Sequence, residues 1–322
     1  MNVWVILVNW NGAADTEVCL QSLLDARPQP YGIAVVDNGS REGEIDRLRA
    51  WAKAHGIGLR LEDADPAQWP ADRAPRPGEV LLLRSATNRG FSGGNNVALA
   101  YTEPDPAATH FLLLNNDAAV TPSYFGDLAA SLAGYADTGL ASGTIYEMTP
   151  PNRVWYAGGR ILPVRTMALH DLEVPVDSGV VPTEFICGCT MLISSATLHR
   201  LGHLPECYFP CYLEDTEYSQ RARDAGIPVL YVPGAVAYHK GGGSLGPMAL
   251  SPRVTYTFNR HRGFWARRNL RGGQRLAALL YLVVTKPIRA AIDVVTGHPR
   301  VAWATLTGTL DGLFSPRARD IR

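Results

Sequence analysis

The chain has 322 residues, 46% of them hydrophobic and 19% charged, with Lys+Arg and Asp+Glu both at 30 and a net charge of zero. This composition excludes a disordered chain and argues against a nucleic-acid binder, which needs surplus positive charge against phosphate. The balance is uneven, however: residues 1–250 carry −10 and residues 251–322 carry +10, so the C-terminal segment is a candidate surface for anionic lipid.

Residues 3–8 form an apolar run ending in Asn9-Trp10-Asn11-Gly12, the pattern of a strand buried on both faces. A helix is predicted over 13–26, stopped before Pro28, then a strand over 33–36 that ends in Asp37-Asn38-Gly39-Ser40. A charge-mixed stretch, 42–55, reads as a second helix, and Pro66, Pro70, Pro75 and Pro77 mark an irregular insertion. Strands are expected at 80–83 and 111–114, separated by 88–101, whose glycine-rich start leads into a helix-compatible segment. Alternation of this kind implies a mostly parallel sheet in an α/β fold. Past Gly139 the order loosens, and 145–162 reads as antiparallel strands or a lobe over the sheet edge. A strand over 185–193, short helix over 196–201, helix over 214–225 and strand over 229–232 follow, and the chain turns helical beyond Pro252.

In an open parallel sheet, ligands bind beyond the carboxyl ends of the strands. The polar groups following the apolar runs, Asn9 to Gly12, Asp37 to Ser40, Asn88 to Asn96 and Asn115-Asn116-Asp117, therefore converge on one rim. Asp37 suits a base N–H or ribose hydroxyl, as acidic residues do in dinucleotide folds. The segment Asn88-Arg89-Gly90-Phe91-Ser92-Gly93-Gly94-Asn95-Asn96 offers close backbone approach and one cation, as a diphosphate requires, but has neither P-loop nor dinucleotide-fingerprint spacing. Asp117 and Asn115 offer hard oxygen ligands for Mg²⁺ or Mn²⁺ shared with substrate phosphates.

The strings VNWNG, VVDNGS, NRGFSGGNN and LLLNNDA, followed by CGCTMLISSATLHRLGHL, YLEDTEYSQRARDAGIPVLYVPGA and AYHKGGGS, resemble inverting family 2 glycosyltransferases, nearest to the rhamnosyltransferase-like branch, over about residues 3–270. The resemblance implies a GT-A (Rossmann-like) nucleotide-diphospho-sugar transferase fold with a mixed, mostly parallel sheet plus a C-terminal helical tail. It implies a catalytic domain over 1–250, with a donor-binding half over about 1–120 and an acceptor-binding half over about 121–250, and a basic amphipathic tail over 251–322. By this resemblance Asn9, Asn11, Asp37, Asn38, Arg89, Gly93, Gly94, Asn95, Asn115 and Asn116 would surround the nucleotide sugar. Asn115 with Asp117 would replace the metal-binding Asp-x-Asp, His239 would contact metal or diphosphate, and Lys240 with Gly241 to Ser244 would close over phosphates. Asn at the first position lowers the charge of that metal site. The Glu214-Asp215 pair opens a predicted helix, and Asp215 would be the catalytic base, held ionised by the helix dipole. The segment Tyr256 to Arg262 is similar to a late family segment, in which Arg260 could contact a diphosphate and His261 stands where asparagine is common.

Five cysteines make no disulfide framework, and Cys187-Gly-Cys189 and Cys207-x3-Cys211 lack zinc-knuckle spacing; Cys211 reads as a thiol lining the acceptor side. No secretory n-region and h-region precede Asn2, so the cytosolic side is the expectation. The apolar run 276–285 is about half of what a membrane-spanning helix needs. Together with Trp265, Trp303 and many arginines it suits helices lying in a membrane interface, giving a peripheral protein on the inner face of the cell membrane. The expected activity is inverting transfer from a nucleoside-diphosphate sugar, dTDP-rhamnose or a UDP-sugar, to a saccharide or polyprenyl-linked acceptor in bacterial surface-polysaccharide synthesis. A homodimer is compatible with the sequence. The alternatives are a non-catalytic sugar-nucleotide-binding subunit and a sugar nucleotidyltransferase, the latter lacking its lysine-bearing glycine-rich start.

Overall fold

The computed structural model describes residues 1–175, 179–241 and 251–315. The chain runs β1 (Val3–Asn9), α1 (Ala13–Asp25), β2 (Gly32–Asn38), α2 (Glu44–Ala54), β3 (Gly58–Asp63), β4 (Glu79–Ser85), α3 (Gly90–Thr102), β5 (His110–Asn115), β6 (Ala118–Val120) and α4 (Tyr124–Leu132). It continues through β7 (Leu140–Glu147), β8 (Val154–Tyr156), β9 (Gly159–Leu162), β10 (Met167–His170), β11 (Val181–Pro182), β12 (Thr190–Ser194), α5 (Ser195–Leu201), α6 (Glu214–Asp224) and β13 (Val229–His239). Three helices close the described part: α7 (Pro252–Asn269), α8 (Gly272–Val295) and α9 (Pro299–Phe314).

The main sheet has the order β11-β13-β7-β12-β5-β1-β2-β4-β3, with β6 on β13 and β8 on β7. Strands β5, β1, β2, β4 and β3 are mutually parallel, whereas β12 runs antiparallel to both β5 and β7. The central runs are apolar at every position because both faces are covered. Val3, Val5 and Leu7 of β1 pack with Cys19, Leu20 and Leu23 of α1, while Trp4 and Ile6 point to the other face with Val97, Leu99 and Tyr101 of α3. Burial of each such side chain contributes roughly 1.5–3 kcal/mol, so this two-sided core holds the strand ends rigidly in register.

The structure departs from the sequence-based expectation at several places, β6 and α4 among them, since no element was expected there. Strand β3 lies where no strand is expected: it is an edge strand with partly exposed Leu59 and Leu61 alternating with Arg60 and Glu62, and an edge needs little apolar content. The strand expected over 185–193 begins only at Thr190, because residues 185–189 form the turn that faces α6. Strand β13 continues through Pro233-Gly234 by a register shift between Val232 and Val236, reaching His239. The glycine-rich segment after Asn88 is not a loop preceding a helix; α3 starts at Gly90, and Gly93 and Gly94 lie inside it.

Helix α7 buries His261, Phe264 and Trp265. It meets α9 at near backbone contact: a Cβ on Gly308 would lie 2.4 Å from the Tyr256 carbonyl oxygen, and one on Gly312 2.4 Å from that of Arg260. Helix α8 leaves Leu276, Leu280, Val283, Val284, Ile288, Ile292 and Val295 exposed on one continuous face. Among the described residues, no helix is long and apolar enough to cross a membrane.

Candidate active site

The rim is organised by short polar side chains that bond each other. Buried Asn9 donates from Nδ2 to Asp37 Oδ1 (3.1 Å) and Ser40 Oγ (3.3 Å), and its Oδ1 accepts from Gly12 N–H and the Thr16 hydroxyl. Asn11, at φ +55°, accepts the Arg41 N–H at 2.8 Å. Asn38 pins the next turn, donating to the Gly90 carbonyl (3.0 Å) and accepting from Arg89 N–H (3.0 Å). Gly90 has φ +71°, and a Cβ there would sit 2.6 Å from the Pro210 carbonyl, so the turn requires glycine.

These turns open onto a cavity of about 540 Å³, lined among the candidate residues by Asn38, Asn95, Asn115, Asn116, Asp117, Glu214, Asp215 and His239. Trp10, Asn88, Gly90 and Phe91 of the polar turns, Cys211 and Gly241 line it too, whereas the candidates that follow do not. Asn9, Asn11 and Asp37 brace the β1 and β2 turns, and the Arg89 guanidinium bonds Ser85 Oγ at 3.2 Å. Gly93 and Gly94 lie inside α3 and let it pack closely, since a Cβ would lie 2.7 Å from Arg89 Cβ and 2.8 Å from Val8 Cγ1 respectively. Lys240 pairs with Asp15 at 2.8 Å, an exposed contact that raises the lysine pKa. Arg260 lies over the Phe264 ring at 4.7 Å from its centroid. Gly242, Gly243 and Ser244, expected to close over phosphates, lie outside the described residues.

Asp117 and His239 meet because β6 and β13 pair antiparallel, His239 opposite Ala118. His239 Nε2 is 3.1 Å from Asp117 Oδ1 and 3.4 Å from the Asn115 amide nitrogen, and both side chains are buried. Burial alone would raise the Asp117 pKa, but the hydrogen bond and charge of His239, a backbone bond and Lys240 outweigh it and keep the carboxylate ionised. His239 Nδ1 is buried without a partner, and Trp155 packs against the ring at 4.6 Å. The carboxylate oxygen suits Mg²⁺ or Mn²⁺, and the imidazole nitrogen is a donor that a transition ion such as Mn²⁺ takes more readily than Mg²⁺. Among the described residues no cluster of three acidic, histidine or cysteine ligands exists, so the donor set fits a cation completed by a ligand's phosphates rather than a closed protein cage.

Glu214 and Asp215 are presented at the start of α6 by two left-handed non-glycine residues, Tyr212 (φ +87°) and Leu213 (φ +75°). Such conformations cost of order 1–3 kcal/mol each and persist only when neighbours impose them. Here α7 does so: His261 Nδ1 donates to the carbonyls of Cys211 and Tyr212 (3.1 and 3.2 Å), and Arg268 and Asn269 bind Glu217. Burial would raise the Glu217 pKa, but those bonds and one from Tyr208 hold it below its ordinary value. Asp215 Oδ2 accepts the Gly188 N–H at 3.1 Å and Oδ1 the Thr216 N–H at 2.7 Å. Asp215 stands in the first turn of α6, where the Thr216 N–H it accepts favours its ionised form. Burial dominates and raises its pKa, against the bonds from Gly188 and Thr216 and the charge of His170. Glu214 is raised well above the carboxylate range by burial and by Asp215, and its Oε2 has no partner. Of the two, Asp215 is the better placed to ionise, because the Gly188 and Thr216 N–H groups donate to it while Glu214 Oε2 has no partner.

The opposite wall comes from residues that sequence reasoning did not single out. Trp155, Met167, Ala168, His170, Phe185, Arg253 and Phe258 all line the cavity. His170 ends the small β9–β10 hairpin; its Nδ1 is 2.9 Å from the Trp155 carbonyl, so that nitrogen carries the proton and Nε2 is the acceptor. Burial lowers the His170 pKa despite that bond and Asp215. The only signal in the sequence was an aromatic-rich stretch with weak alternation. Cys211 does line the cavity, with its thiol pKa pushed up by burial, and the Cys187 and Cys189 thiols are likewise buried and raised.

A parallel half-sheet whose strand ends frame a nucleotide-sized cleft, continued by a mixed half that brings in a histidine and an acidic pair, is the architecture of a GT-A glycosyltransferase. The sequence profile of Glycosyl transferase family 2 matches residues 4–193, and the chain belongs to that family. It is 31% identical over 311 residues to an N-acetylglucosaminyl-diphospho-decaprenol L-rhamnosyltransferase of Mycobacterium tuberculosis, spanning 88% of this chain and 94% of that protein. Similarity to a low-salt glycan biosynthesis hexosyltransferase of Haloferax volcanii is 23% over 158 residues, 47% of this chain and about half (48%) of that relative. The structure of a mannosyltransferase from Pyrobaculum calidifontis, in complex with GDP-Man and Mn²⁺, superimposes with a TM-score of 0.55 at 17% identity, covering 98% of this chain and 81% of that one.

Proposed function

We propose that the protein is an inverting, divalent-cation-dependent glycosyltransferase moving a sugar, from dTDP-rhamnose or a UDP-sugar, to a hydroxyl of a polyprenyl-diphosphate-linked saccharide in bacterial surface-polysaccharide synthesis. The observation that carries this reading is that Asp117 with His239, and Glu214 with Asp215, line one cavity. The relative from Mycobacterium tuberculosis, named for a diphospho-decaprenol acceptor, supports the choice of acceptor class.

Asp215 accepts the proton of the acceptor hydroxyl as its oxygen bonds to the anomeric carbon, and the bond from that carbon to the diphosphate oxygen breaks with its electron pair leaving on the nucleoside diphosphate. Burial and the neighbouring Asp215 bias Glu214 towards its neutral form, which reduces repulsion of the nucleophile. Asp117 and His239 would hold Mg²⁺ or Mn²⁺, whose charge stabilises the departing diphosphate. His170 and Trp155 flank the acceptor side, and the apolar face of α8 beside the basic residues of the tail supports peripheral attachment to the inner membrane face.

The test is nucleoside-diphosphate release from a panel of UDP, dTDP and GDP sugars, with Mn²⁺ or EDTA, for wild type and Asp215→Asn. Cation-dependent release from one donor, lost in the variant, is the expected result. Binding of a donor with no turnover under any condition, with or without saccharide acceptors, would favour the non-catalytic subunit.

A further inference from the structure

Beyond the catalytic cavity, a second space of about 560 Å³ opens between α7 and α9, walled by Arg253 and Tyr256 on one side and Arg300, Trp303, Ala304 and Thr307 on the other. It lies next to the catalytic cavity, and Arg253 lines both spaces. Two features give it a chemical polarity. Arg253 and Arg300 are both exposed and both line this mostly apolar groove, and a guanidinium binds phosphate oxygens bidentately. Trp303, Thr307, Leu310 and Phe314 follow at the spacing of one helix face, with Trp303, Leu310 and Phe314 exposed by 70%, 55% and 74%. Beyond Thr307 this face therefore runs on along α9 for about 10 Å to Phe314, at 1.5 Å per residue.

A ligand matched to this order of groups has a saccharide at one end, an anion of at least two charges next, and a long apolar chain after it. We infer that the groove seats the diphosphate and first isoprene units of a prenyl-diphosphate-linked acceptor. Arg253 and Arg300 hold the diphosphate, Tyr256 and Trp303 flank the chain, and the saccharide reaches past Arg253 towards Asp215. This rests on the lipid-linked acceptor proposed above and deepens it by assigning the recognition to α7 and α9.

The experiment uses the full chain in buffer without vesicles, the donor identified by the panel, and acceptor saccharides carrying a diphosphate ester of methyl or of farnesyl. Wild type should use the farnesyl ester with kcat/KM at least thirtyfold above the methyl ester. Trp303→Ala should remove about tenfold of that preference through KM with kcat held. Arg300→Ala should raise KM about tenfold for both diphosphate esters but not for the same saccharide as its methyl glycoside. Acceptor-free donor hydrolysis should be unchanged in both variants. Equal use of the two esters by wild type, or a chain preference that survives Trp303→Ala, overturns the groove assignment while leaving the lipid-linked acceptor standing. Donor hydrolysis without transfer to any diphosphate ester removes the acceptor reading itself, and the groove assignment with it. If Trp303→Ala abolishes vesicle sedimentation, or dissociates a dimer in sedimentation velocity, without altering the ester preference, the face serves a bilayer or a second copy instead.

Discussion

Asp215→Asn tests the centre of the reading, because it exchanges a proton acceptor for a group of the same shape that accepts no proton. In the folded chain the carboxylate takes the Gly188 N–H on one oxygen and the Thr216 N–H on the other. An amide can satisfy one of these and turns its own donor towards the other, which costs about 1–3 kcal/mol for an unsatisfied buried group. Removing a buried charge beside Glu214 offsets part of this, so the variant should fold with a Tm within several degrees of wild type. The catalytic loss is larger: general-base assistance is worth roughly 10²–10⁴ in rate, or about 3–5 kcal/mol at 1.36 kcal/mol per tenfold. Single-turnover transfer should therefore fall about a thousandfold with donor affinity retained, and Glu214→Gln, which keeps a neutral side chain, should lose no more than about tenfold. The pH profile supplies a second sign. Asp215 works ionised and its pKa is raised by burial, so activity is complete above that pKa and lost as pH falls through it, placing the acid limb above the ordinary aspartate value of about 3.9. A variant rate within tenfold of wild type, or a limb at the ordinary value, would refute the assignment.

Asp117→Asn and His239→Gln should each weaken Mn²⁺ binding in the presence of nucleoside diphosphate by about tenfold or more, read by the paramagnetic signal of free Mn²⁺. His170→Gln, which offers an amide in place of the fixed imidazole acceptor, should raise acceptor KM several-fold with donor hydrolysis and donor affinity unchanged. Gly312→Val places side-chain atoms where α7 backbone lies and should lower stability by about 1–3 kcal/mol, seen in thermal melts and in earlier proteolysis of the C-terminal helices. His110 and His261 are both lowered to about 4 by burial, so their stabilising neutral forms are intact above pH 6.5 and are progressively lost as pH falls from there towards 4. That loss amounts to up to roughly 3 kcal/mol for buried His261 and less for partly exposed His110. Melts from pH 7 to pH 4 should show it, with a shallower slope in His261→Gln.

The parallel half of the fold was legible because its signal is local. Apolar runs closed by Asn-Gly or Asp-Asn-Gly turns mark strands buried on both faces, and β1, β2, β4 and β5 lie within two residues of their expected bounds. Edge strand β3 escaped notice because an edge is half solvated and its side chains follow suit. The antiparallel half gave weak signals for a related reason. Strands β8, β9 and β10 are three or four residues long, too short for a period to be seen, yet they carry Trp155 and His170 into the cavity.

What the sequence determined by itself is the order of the buried strands and their helices in the parallel half, the polar turns at their ends and the acidic pair opening α6, since each depends on neighbours within a few residues. Tertiary structure alone decided which of those polar groups face the cavity and which brace one another. Asn9 and Asp37 became each other's partners, and Gly93 and Gly94 became packing space. It also decided that burial governs Asp215, and that α7, within a segment whose sequence shows mainly positive charge, buttresses the loop before the acidic pair and adds Arg253 to the wall. Those outcomes depend on contacts between residues far apart in the chain, such as His261 with Cys211 and His239 with Asp117, whose desolvation and hydrogen bonding exist only once the sheet has closed.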